Sequence, residues 1–563
     1  MESAFGVAAA TTLLTIAVTY VTSSLFFRKK SKSSPYQEAI DDGEEPDKVF
    51  VLNAGAQSVQ LMGQLDDIGA DERCPHVGLA ILKDRVRWRP RLRALVLSSI
   101  NEYMIEDLAN VTTSLTDPHV LVLFAFVRPK ASCFGCCTKK RILYRTRLRF
   151  SDLQDLESAK KSLIRLMRGD VCSSGHSSTK STAADSGSES QMREVLMILN
   201  PVSGLKRSSQ LATEFLQLIK AASPRGIRHP QTDEPLMLRV QETKGPRHAF
   251  EIAQQLDPKK TAAIVAVGGD GILHEIVNGL VCSPQLGDND RRKIPILPIA
   301  AGTGNGFAMA LGIPPYDVES AALVFLRGRI GPYDTIRVET LNENGTRNLT
   351  EAAQRENAFG ETPQPGHVVH CISFISCGIV SDTDRDSDHL RWMGSLRFTV
   401  MALWKVLKGS TVRAQLMYRL AEPSPSGSGE KAAQMVAVKE EVFSEACFMN
   451  IPFVSHDIMF GRYAKIDDGQ VDMSLLPASV SRIGILKIFL LAESGAHLSR
   501  VNSDDSGHGT QYWKCSEVII TPQHSGDLAR EASAHSYDVD GEFRPSSRPL
   551  RLTSHAHHIR VFR

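Results

Sequence analysis

The sequence lacks several features that would assign it to a class at once. Aromatic residues make up only 6% of the 563 residues, and the ten cysteines are scattered except for Cys133, Cys136 and Cys137. So few cysteines in so long a chain do not form the framework of a disulfide-rich secreted domain, and a reducing compartment fits better. An excess of charge of one sign is also lacking, because the net charge is only +2. The composition therefore gives no reason to expect a nucleic-acid partner.

One long uncharged run, from Ala4 to Phe27, stands at the N-terminus and is followed at once by the basic stretch RKKSK. A run of this length is enough to span a bilayer. Because the basic residues follow the apolar run, it does not have the order of a secretory signal peptide, although a cleaved signal or another targeting segment is the alternative. The positive-inside rule then predicts a membrane protein with a single N-terminal span over residues 1–35 and a catalytic region in the cytosol.

The next region, residues 48–168, predicts a small α+β module. Short β-rich runs are followed by a helical pattern that opens with the capping-box pair Ser151 and Gln154. Several strands closed by one helix is the order of a pleckstrin-homology-like module. The Ser-rich, low-complexity stretch 169–192 then predicts a linker.

Residues 193–331 predict an α/β lobe with a parallel sheet. One arrangement recurs three times, in EVLMILNPVSGLK, AAIVAVGGDGILHEIVNGL and IPILPIAAGTGNGFAMALG: an apolar strand, a glycine-containing loop and a helical pattern. Continuous apolar strands that alternate with helices indicate a parallel sheet covered on both faces. The three loops leave the carboxyl ends of their strands, so we expect them to meet at one site. Residues 332–563 are rich in short strand patterns and predict a mainly antiparallel lobe with two covering helices.

Glycine-rich loops that lead into helices are suited to binding phosphate, because the backbone can approach the oxygens closely. GGDG and GTGNG both have this form, but neither fits the P-loop pattern or the dinucleotide fingerprint. Asp270 is the ionisable residue within GGDG. It is either a turn residue that caps the following helix or a general base that takes the proton of an attacking hydroxyl.

Five motifs together resemble a known family. ILNPVSGLK, VGGDGILHEIVNGL and LPIAAGTGNGFAMALG look like the diacylglycerol-kinase-type catalytic domain of lipid kinases. ISCGIVSDTDRDSDHLRWMGSLRF and DVDGE make the match closer to the sphingosine kinase branch, over roughly residues 194–563. The resemblance implies a phosphofructokinase-like α/β lobe followed by a β-sandwich lobe. It also implies a kinase that uses ATP and Mg2+ to phosphorylate the primary hydroxyl of a sphingoid lipid, sphingosine, at a membrane.

The resemblance also implies residue roles. Asp270 would be the catalytic base, Asp384 would hold the sphingoid amine or a hydroxyl, and Asp540 would serve the metal. The residues implied to contact ATP are Asn200, Pro201, Val202, Thr243, Gly268, Gly269, Gly271, Glu275, Gly302, Thr303, Gly304, Arg391, Arg397, Asp540, Gly541 and Glu542.

Several alternatives stay open at this point. Asp382 is a second candidate for the substrate contact, because SDTDRDSDHL carries four aspartates. Ceramide or diacylglycerol could replace sphingosine as substrate, and an inactive membrane-tethered lipid-binding scaffold is a reading of another class. Apolar residues after Arg397 either line a slot for the lipid chain or form an ordinary core face; they are Phe398, Met401, Leu403, Trp404 and Leu407. A homodimer is also left open.

Overall fold

A computed structural model describes most of the chain from Met192 onward. The described ranges there are 192–223, 226–229, 234–343, 345, 364–393, 396–421, 434–523, 536–545 and 548–563, and before them come eight strands and parts of one helix between 49 and 164. The predicted membrane span and nearly all of the Ser-rich linker lie outside the described residues. Among the helices that are described, none has the length and apolarity needed to cross a bilayer.

The N-terminal strands form antiparallel sheets. Their bounds are β1 Val49–Phe50, β2 Val59–Met62, β3 His76–Ile81, β4 Arg85–Arg91, β5 Asn101–Met104, β6 Leu108–Thr113, β7 Val120–Val127 and β8 Ile142–Arg149. Strands β2 to β5 pair in sequence order in one sheet, and β6, β7 and β8 do so in another. Helical residues follow between 154 and 164. The order of strands followed by a helix agrees with the prediction. The assignment to the pleckstrin-homology-like class stays a prediction.

The α/β lobe contains the predicted parallel sheet. Its strands are β9 Glu194–Leu199, β10 Met237–Glu242, β11 Thr261–Gly268 and β12 Ile296–Ala300, in the spatial order β10-β9-β11-β12. All residues of β11 and β12 are buried, as the continuous apolar runs predicted. The edge strand β10 was missed by the sequence analysis. Its residues are exposed or half-buried, so it lacks the apolar run of a central strand.

Seven helices of this lobe are described. They are α1 Ser203–Lys206, α2 Ser208–Ala222, α3 His248–Gln254, α4 Asp270–Val281, α5 Asp288–Arg291, α6 Gly306–Ala310 and α7 Val318–Arg327. The apolar residues that recur at helical spacing on α4 are all buried; they are Ile272, Ile276, Val277 and Leu280. The same is true of Leu211, Phe215, Leu218 and Ile219 on α2. Burial of these faces stabilises the strand–loop–helix units and so fixes where the loops end.

The second lobe is antiparallel, as predicted. Its strands are β13 Ile330–Thr340, β14 Val368–Cys371, β15 Phe374–Gly378, β16 Val412–Leu420, β17 Val436–Ala437, β18 Val442–Met449, β19 Val471–Pro477, β20 Ser503–Gly507, β21 Thr510–Pro522, β22 Ser536–Val539, β23 Glu542–Pro545 and β24 Leu550–Phe562. Its helices are α8 Ile379–Asp386, a 3-10 helix Asp388–Met393, α9 Leu396–Lys408 and α10 Arg482–Ala492.

Two long strands organise this lobe and join it to the first. Strand β21 pairs with β19 through its first half and with β16 and β24 through its second half, so it belongs to both layers around the core. Strand β24 pairs antiparallel with β13 and, where Val561 lies opposite Ile296, parallel with β12. A single hydrogen-bonded sheet therefore runs from the α/β lobe into the antiparallel lobe. The predicted order of an α/β lobe followed by an antiparallel lobe is confirmed.

Candidate active site

The three predicted loops do meet at the carboxyl edge of the parallel sheet. The amides of Ala301 and Gly302 donate to the Gly268 carbonyl at 2.8 and 3.2 Å, which joins the third loop to the second. The Asn200 amide donates to the Val267 carbonyl at 3.1 Å, which ties the first loop to the second strand. These contacts confirm that the loops meet, and their joint role as a ligand site stays a prediction.

Close backbone approach explains two of the loop glycines. A Cβ atom on Gly302 would lie 2.5 Å from the Gly269 Cα, so both loops need glycine where they touch. Gly204 follows the first strand with a φ of +57°, and a Cβ there would lie 1.8 Å from the Ala301 carbonyl oxygen. Any side chain at these positions would separate loops that now present their backbone groups together.

Asp270 is the first residue of helix α4 and lies at the centre of this loop cluster. Its carboxylate does not cap its own helix but accepts from the amides of Gly306 and Phe307, at 3.0 and 3.1 Å, at the start of α6. Burial raises the pKa of Asp270 to about 6, and the nearby Asp540 contributes in the same direction, whereas the α6 amides oppose the rise. Asp270 therefore does not cap its own helix, and its amide-bound carboxylate has a pKa suited to the general-base role, which stays a prediction.

The predicted nucleotide side of the site lies along the edge formed by β9 and β10. The Thr243 amide donates to the Leu199 carbonyl at 2.8 Å, which places Thr243 beside the first loop. Glu275 on α4 accepts from the amides of Arg247 and Ala249, at 3.1 and 3.0 Å, and so caps helix α3. Both carboxylate oxygens of Glu275 therefore accept from the backbone. The contact between Glu275 and ATP that the resemblance implies stays a prediction. Val202, with 71% of its surface exposed, can offer its backbone to a ligand.

The turn that carries the DGE motif is held in place by hydrogen bonds to the buried carboxylate of Asp540. Asp540 adopts a φ of +55° between β22 and β23 and is 3% exposed. Its Oδ2 accepts from the Ile372 amide at 2.7 Å and from His274 Nδ1 at 2.6 Å. Its Oδ1 accepts from the amides of Ser373 and Phe374, at 2.7 and 3.2 Å. These bonds tie the turn to helix α4 and to the β14–β15 connection, and they leave Gly541 and Glu542 exposed above it.

The surroundings of Asp540 do not fit direct coordination of Mg2+. Both oxygens point at N–H donors, and a metal ion in their place would leave those buried donors without acceptors. Among the residues that the structure describes, the three-residue group able to surround an ion is His370, His555 and His558. The contacts of Asp540 therefore do not support the metal role that the resemblance implies for it. We assign Asp540 no part in the chemistry.

The two aspartates proposed for substrate contact have different environments. Asp382 accepts from Ser410 Oγ at 2.6 Å and lies 3.1 Å from the Arg385 guanidinium, so it belongs to a network between α8 and α9. Asp384 is about one-third exposed, and a Cβ on Gly541 would lie 4.0 Å from its Oδ2. Asp384 therefore faces the DGE turn, whereas Asp382 faces helix α9. This difference favours Asp384 over Asp382 for the substrate contact.

Of the two arginines implied to bind phosphate, Arg397 is placed by the structure. Its guanidinium lies 3.8 Å from Asp384 and over the Phe398 ring at 4.4 Å. The side chain of Arg391 lies outside the described part of the chain. Both roles stay predictions, but the position of Arg397 beside Asp384 puts a guanidinium at the predicted substrate side of the site.

Two polar residues on helix α4 were missed by the sequence analysis. His274 contacts Asp540, and Asn278 donates to the His370 carbonyl at 2.8 Å and accepts from the His370 amide at 2.9 Å. Both are buried, and both bind the antiparallel lobe. The signal was present, because His274 and Asn278 are spaced i and i+4 within an otherwise apolar helix face.

The sequence is similar to a known kinase domain and to several named kinases. Residues 194–338 match the model of the diacylglycerol kinase catalytic domain. The chain is 26% identical to sphingosine kinase 1 of Arabidopsis thaliana over 54% of this chain and 61% of that protein. It is 23% identical to human sphingosine kinase 1 over 62% of this chain and 86% of that protein. A crystal structure of a diacylglycerol kinase from Bacillus anthracis has a TM-score of 0.42 at 18% identity, covering 66% of this chain and 96% of that one.

The matched segment begins at β9 and ends within β13, so it contains all three glycine loops and Asp270. The alignment with the Arabidopsis relative spans about three fifths of that protein's length. Residues 194–338 are therefore similar to a diacylglycerol kinase catalytic domain, and the resemblance to sphingosine kinases drawn from the five motifs is confirmed.

Proposed function

We propose that the protein is an ATP-dependent lipid kinase that phosphorylates the primary hydroxyl of a sphingoid base. The observation that carries the proposal is the position of Asp270, half-buried beside the glycine loops, bonded to the Gly306 and Phe307 amides and with its pKa raised to about 6. A carboxylate of this pKa is ionised at neutral pH and still basic enough to take a proton from a hydroxyl in the transition state. The sphingosine kinase relatives support the lipid substrate, since this is what their names state.

In the proposed reaction the oxygen of the lipid hydroxyl attacks the terminal phosphorus of ATP, and Asp270 accepts the proton of that hydroxyl. A new P–O bond forms to the lipid, the bond between that phosphorus and the bridging oxygen breaks, and ADP leaves. The amides of Gly306 and Phe307 hold the Asp270 carboxylate during this step. The clustered loop backbones around Gly269 and Gly302 are suited to hold the phosphate groups. Mg2+ would assist by neutralising phosphate charge.

Asp384 supplies the proposed preference for a sphingoid base. A carboxylate binds an ammonium group well, and neither ceramide nor diacylglycerol carries one. Asp384 is partly exposed beside the DGE turn, with the Arg397 guanidinium at 3.8 Å, and a lipid headgroup can reach it there, whereas Asp382 faces Ser410 and Arg385 at the helix α9 side. The substrate preference rests on this difference.

The test is a lipid panel with labelled ATP. We expect phosphorylation of sphingosine, with ceramide and diacylglycerol turned over at least about tenfold more slowly, since one lost charged contact is worth about that factor. Asp270→Asn should abolish turnover and leave the melting temperature nearly unchanged. Substantial activity of that variant would defeat the role of Asp270. A wild-type protein without any lipid kinase activity would instead favour the scaffold alternative.

We also propose that helices α9 and α10 contact the membrane that supplies the lipid. Trp404 and Leu407 on α9 are 60% and 44% exposed, and Ile483 and Leu490 on α10 are 81% and 77% exposed. The two helices are in contact, so these apolar side chains lie on adjacent elements. Replacing Trp404 and Leu407 by serine should lower binding to phosphatidylcholine vesicles and leave turnover of detergent-dispersed lipid unchanged. Equal vesicle binding by both proteins would refute this contact.

A further inference from the structure

Asp538, two residues before Asp540 in DVDGE, is a buried carboxylate that the mechanism does not use. It lies on β22 and is 2% exposed, and neither of its oxygens makes a hydrogen bond of ordinary geometry, although the Gly541 amide lies beside it. Burying an unpaired carboxylate is costly, so such a group is protonated or awaits a ligand. Asp540 is a direct contrast, because its two oxygens are saturated by backbone amides and His274.

The groups that face Asp538 are mainly acidic. Burial raises the pKa of Asp538 well above its ordinary value, and Asp384, Asp540 and Glu542 add to the rise in that order, while the Gly541 amide opposes it. Glu445 lies on β18, on the other side of β15 from β22, and its charge also acts on Asp538, but Glu445 accepts from the Val380 amide at 2.7 Å and is therefore hydrogen-bonded.

The backbone explains why Asp538 and Asp384 face each other. Strand β22 pairs with β15, with Asp538 opposite Ser376, and helix α8 begins immediately after β15. Gly378 makes this junction with a φ of +115°, and a Cβ there would lie 2.5 Å from the Ser444 carbonyl oxygen. The tight turn brings α8 back over β22, and so places Asp384 above the turn that follows Asp538.

We propose that Asp538 is a second substrate-binding carboxylate, which acts with Asp384 to hold the ammonium group of the sphingoid base. This inference rests on the proposed function and extends it by a residue. Asp384 is partly exposed, whereas Asp538 is buried, so the cation would bind one accessible carboxylate and one buried carboxylate. An ammonium has three N–H donors and can bond to both.

The same arrangement gives selectivity for a free amine. An N-acylated lipid has one uncharged N–H and cannot compensate two carboxylates, so it leaves Asp538 poorly paired. Two carboxylates around one site therefore increase the discrimination between sphingosine and its N-acylated forms beyond what Asp384 alone provides. This discrimination is a readout that a purely structural residue would not alter.

The experiment compares wild type with Asp538→Asn, which keeps the size of the side chain. We expect the KM for sphingosine to rise about tenfold to a hundredfold, the range for loss of one charged hydrogen bond, with the KM for ATP and kcat within about twofold. Discrimination against N-acetylsphingosine should fall by a similar factor. The melting temperature should stay the same or rise, because the variant removes an unpaired buried acid. Asp504→Asn, an exposed residue of the same lobe, is the matched control and should behave as wild type.

The outcomes separate this inference from the proposed function. If wild type phosphorylates sphingosine and Asp538→Asn has the same KM and the same discrimination, the inference is wrong and the kinase assignment stands. A lower melting temperature with equal losses on every lipid would show a structural role and also overturn it. If wild type phosphorylates only uncharged lipids, the sphingoid substrate itself is wrong, and the inference is overturned with it.

Discussion

Replacing Asp540 by asparagine tests whether the DGE turn is held by its buried carboxylate. Asparagine keeps the size of the side chain but exchanges one acceptor oxygen for an NH2 group. Whichever way the amide is turned, that NH2 group faces N–H donors: Ile372 and His274 on one side, or Ser373 and Phe374 on the other. At least two buried hydrogen bonds are lost, and donors are left facing donors.

The expected cost follows from these contacts. Breaking a buried charged contact by changing one partner costs about 3–5 kcal/mol. For a folded protein of this size, a loss of that free energy of unfolding should lower the melting temperature by roughly 5–10 °C. Activity at a temperature where the variant is folded should also fall, since the turn carries Gly541 and Glu542 and its partner His274 lies on the helix that begins with Asp270.

The assay is thermal unfolding of the whole protein, combined with turnover measured over a range of Mg2+ concentrations. Asp334→Asn is a suitable comparison, because Asp334 is also buried and accepts from the amides of Gly469 and His557 at 2.6 Å. An unchanged melting temperature together with a raised Mg2+ requirement would refute the anchoring role and would instead support a metal contact for Asp540.

Three further predictions concern the base, the lobe contact and the loop contact. kcat/KM should fall about tenfold between pH 7 and pH 5, because Asp270 with a pKa of about 6 loses its ionised form as the pH drops; a flat profile would contradict it as the base. Asn278→Ala should cost about 2–4 kcal/mol, measured by denaturant unfolding, since it leaves both backbone groups of His370 unpaired; a loss below about 1 kcal/mol would argue against this contact. Gly204→Ala should raise the KM for ATP, whereas Gly287→Ala, with no atom within 4 Å of its added Cβ, should not; equal values would show that the loop contact is unimportant.

The sheet, the helices and the central loops could be predicted because their signals are local. Each central strand is a short apolar run, each following helix carries its apolar residues on one face, and the loops between them contain glycine. The rule that parallel strands end at one edge then brings the loops together without any knowledge of their contacts. Strand β10 escaped this reasoning because an edge strand with exposed residues has no apolar run.

The partners of the carboxylates could not be predicted, since they come from distant parts of the chain. Asp540 binds His274, 266 residues earlier, and amides that lie 166 to 168 residues earlier. Every residue except proline has a backbone amide, so the sequence contains no pattern that predicts which loop will donate its N–H groups to an acid. Only the folded arrangement of β14, β15 and the DGE turn shows it.

Asp538 and Asp540 show why a motif alone does not assign roles to its acids. They stand two residues apart in DVDGE, and both are almost completely buried. Asp538 is still within the strand and makes no hydrogen bond of ordinary geometry, whereas Asp540 has entered the turn with a positive φ and meets a set of N–H donors. A satisfied buried acid stabilises the fold, while an unsatisfied one costs stability unless a ligand completes it. Hydrogen-bond satisfaction therefore separates the anchoring acid from the acid that we assign to the substrate.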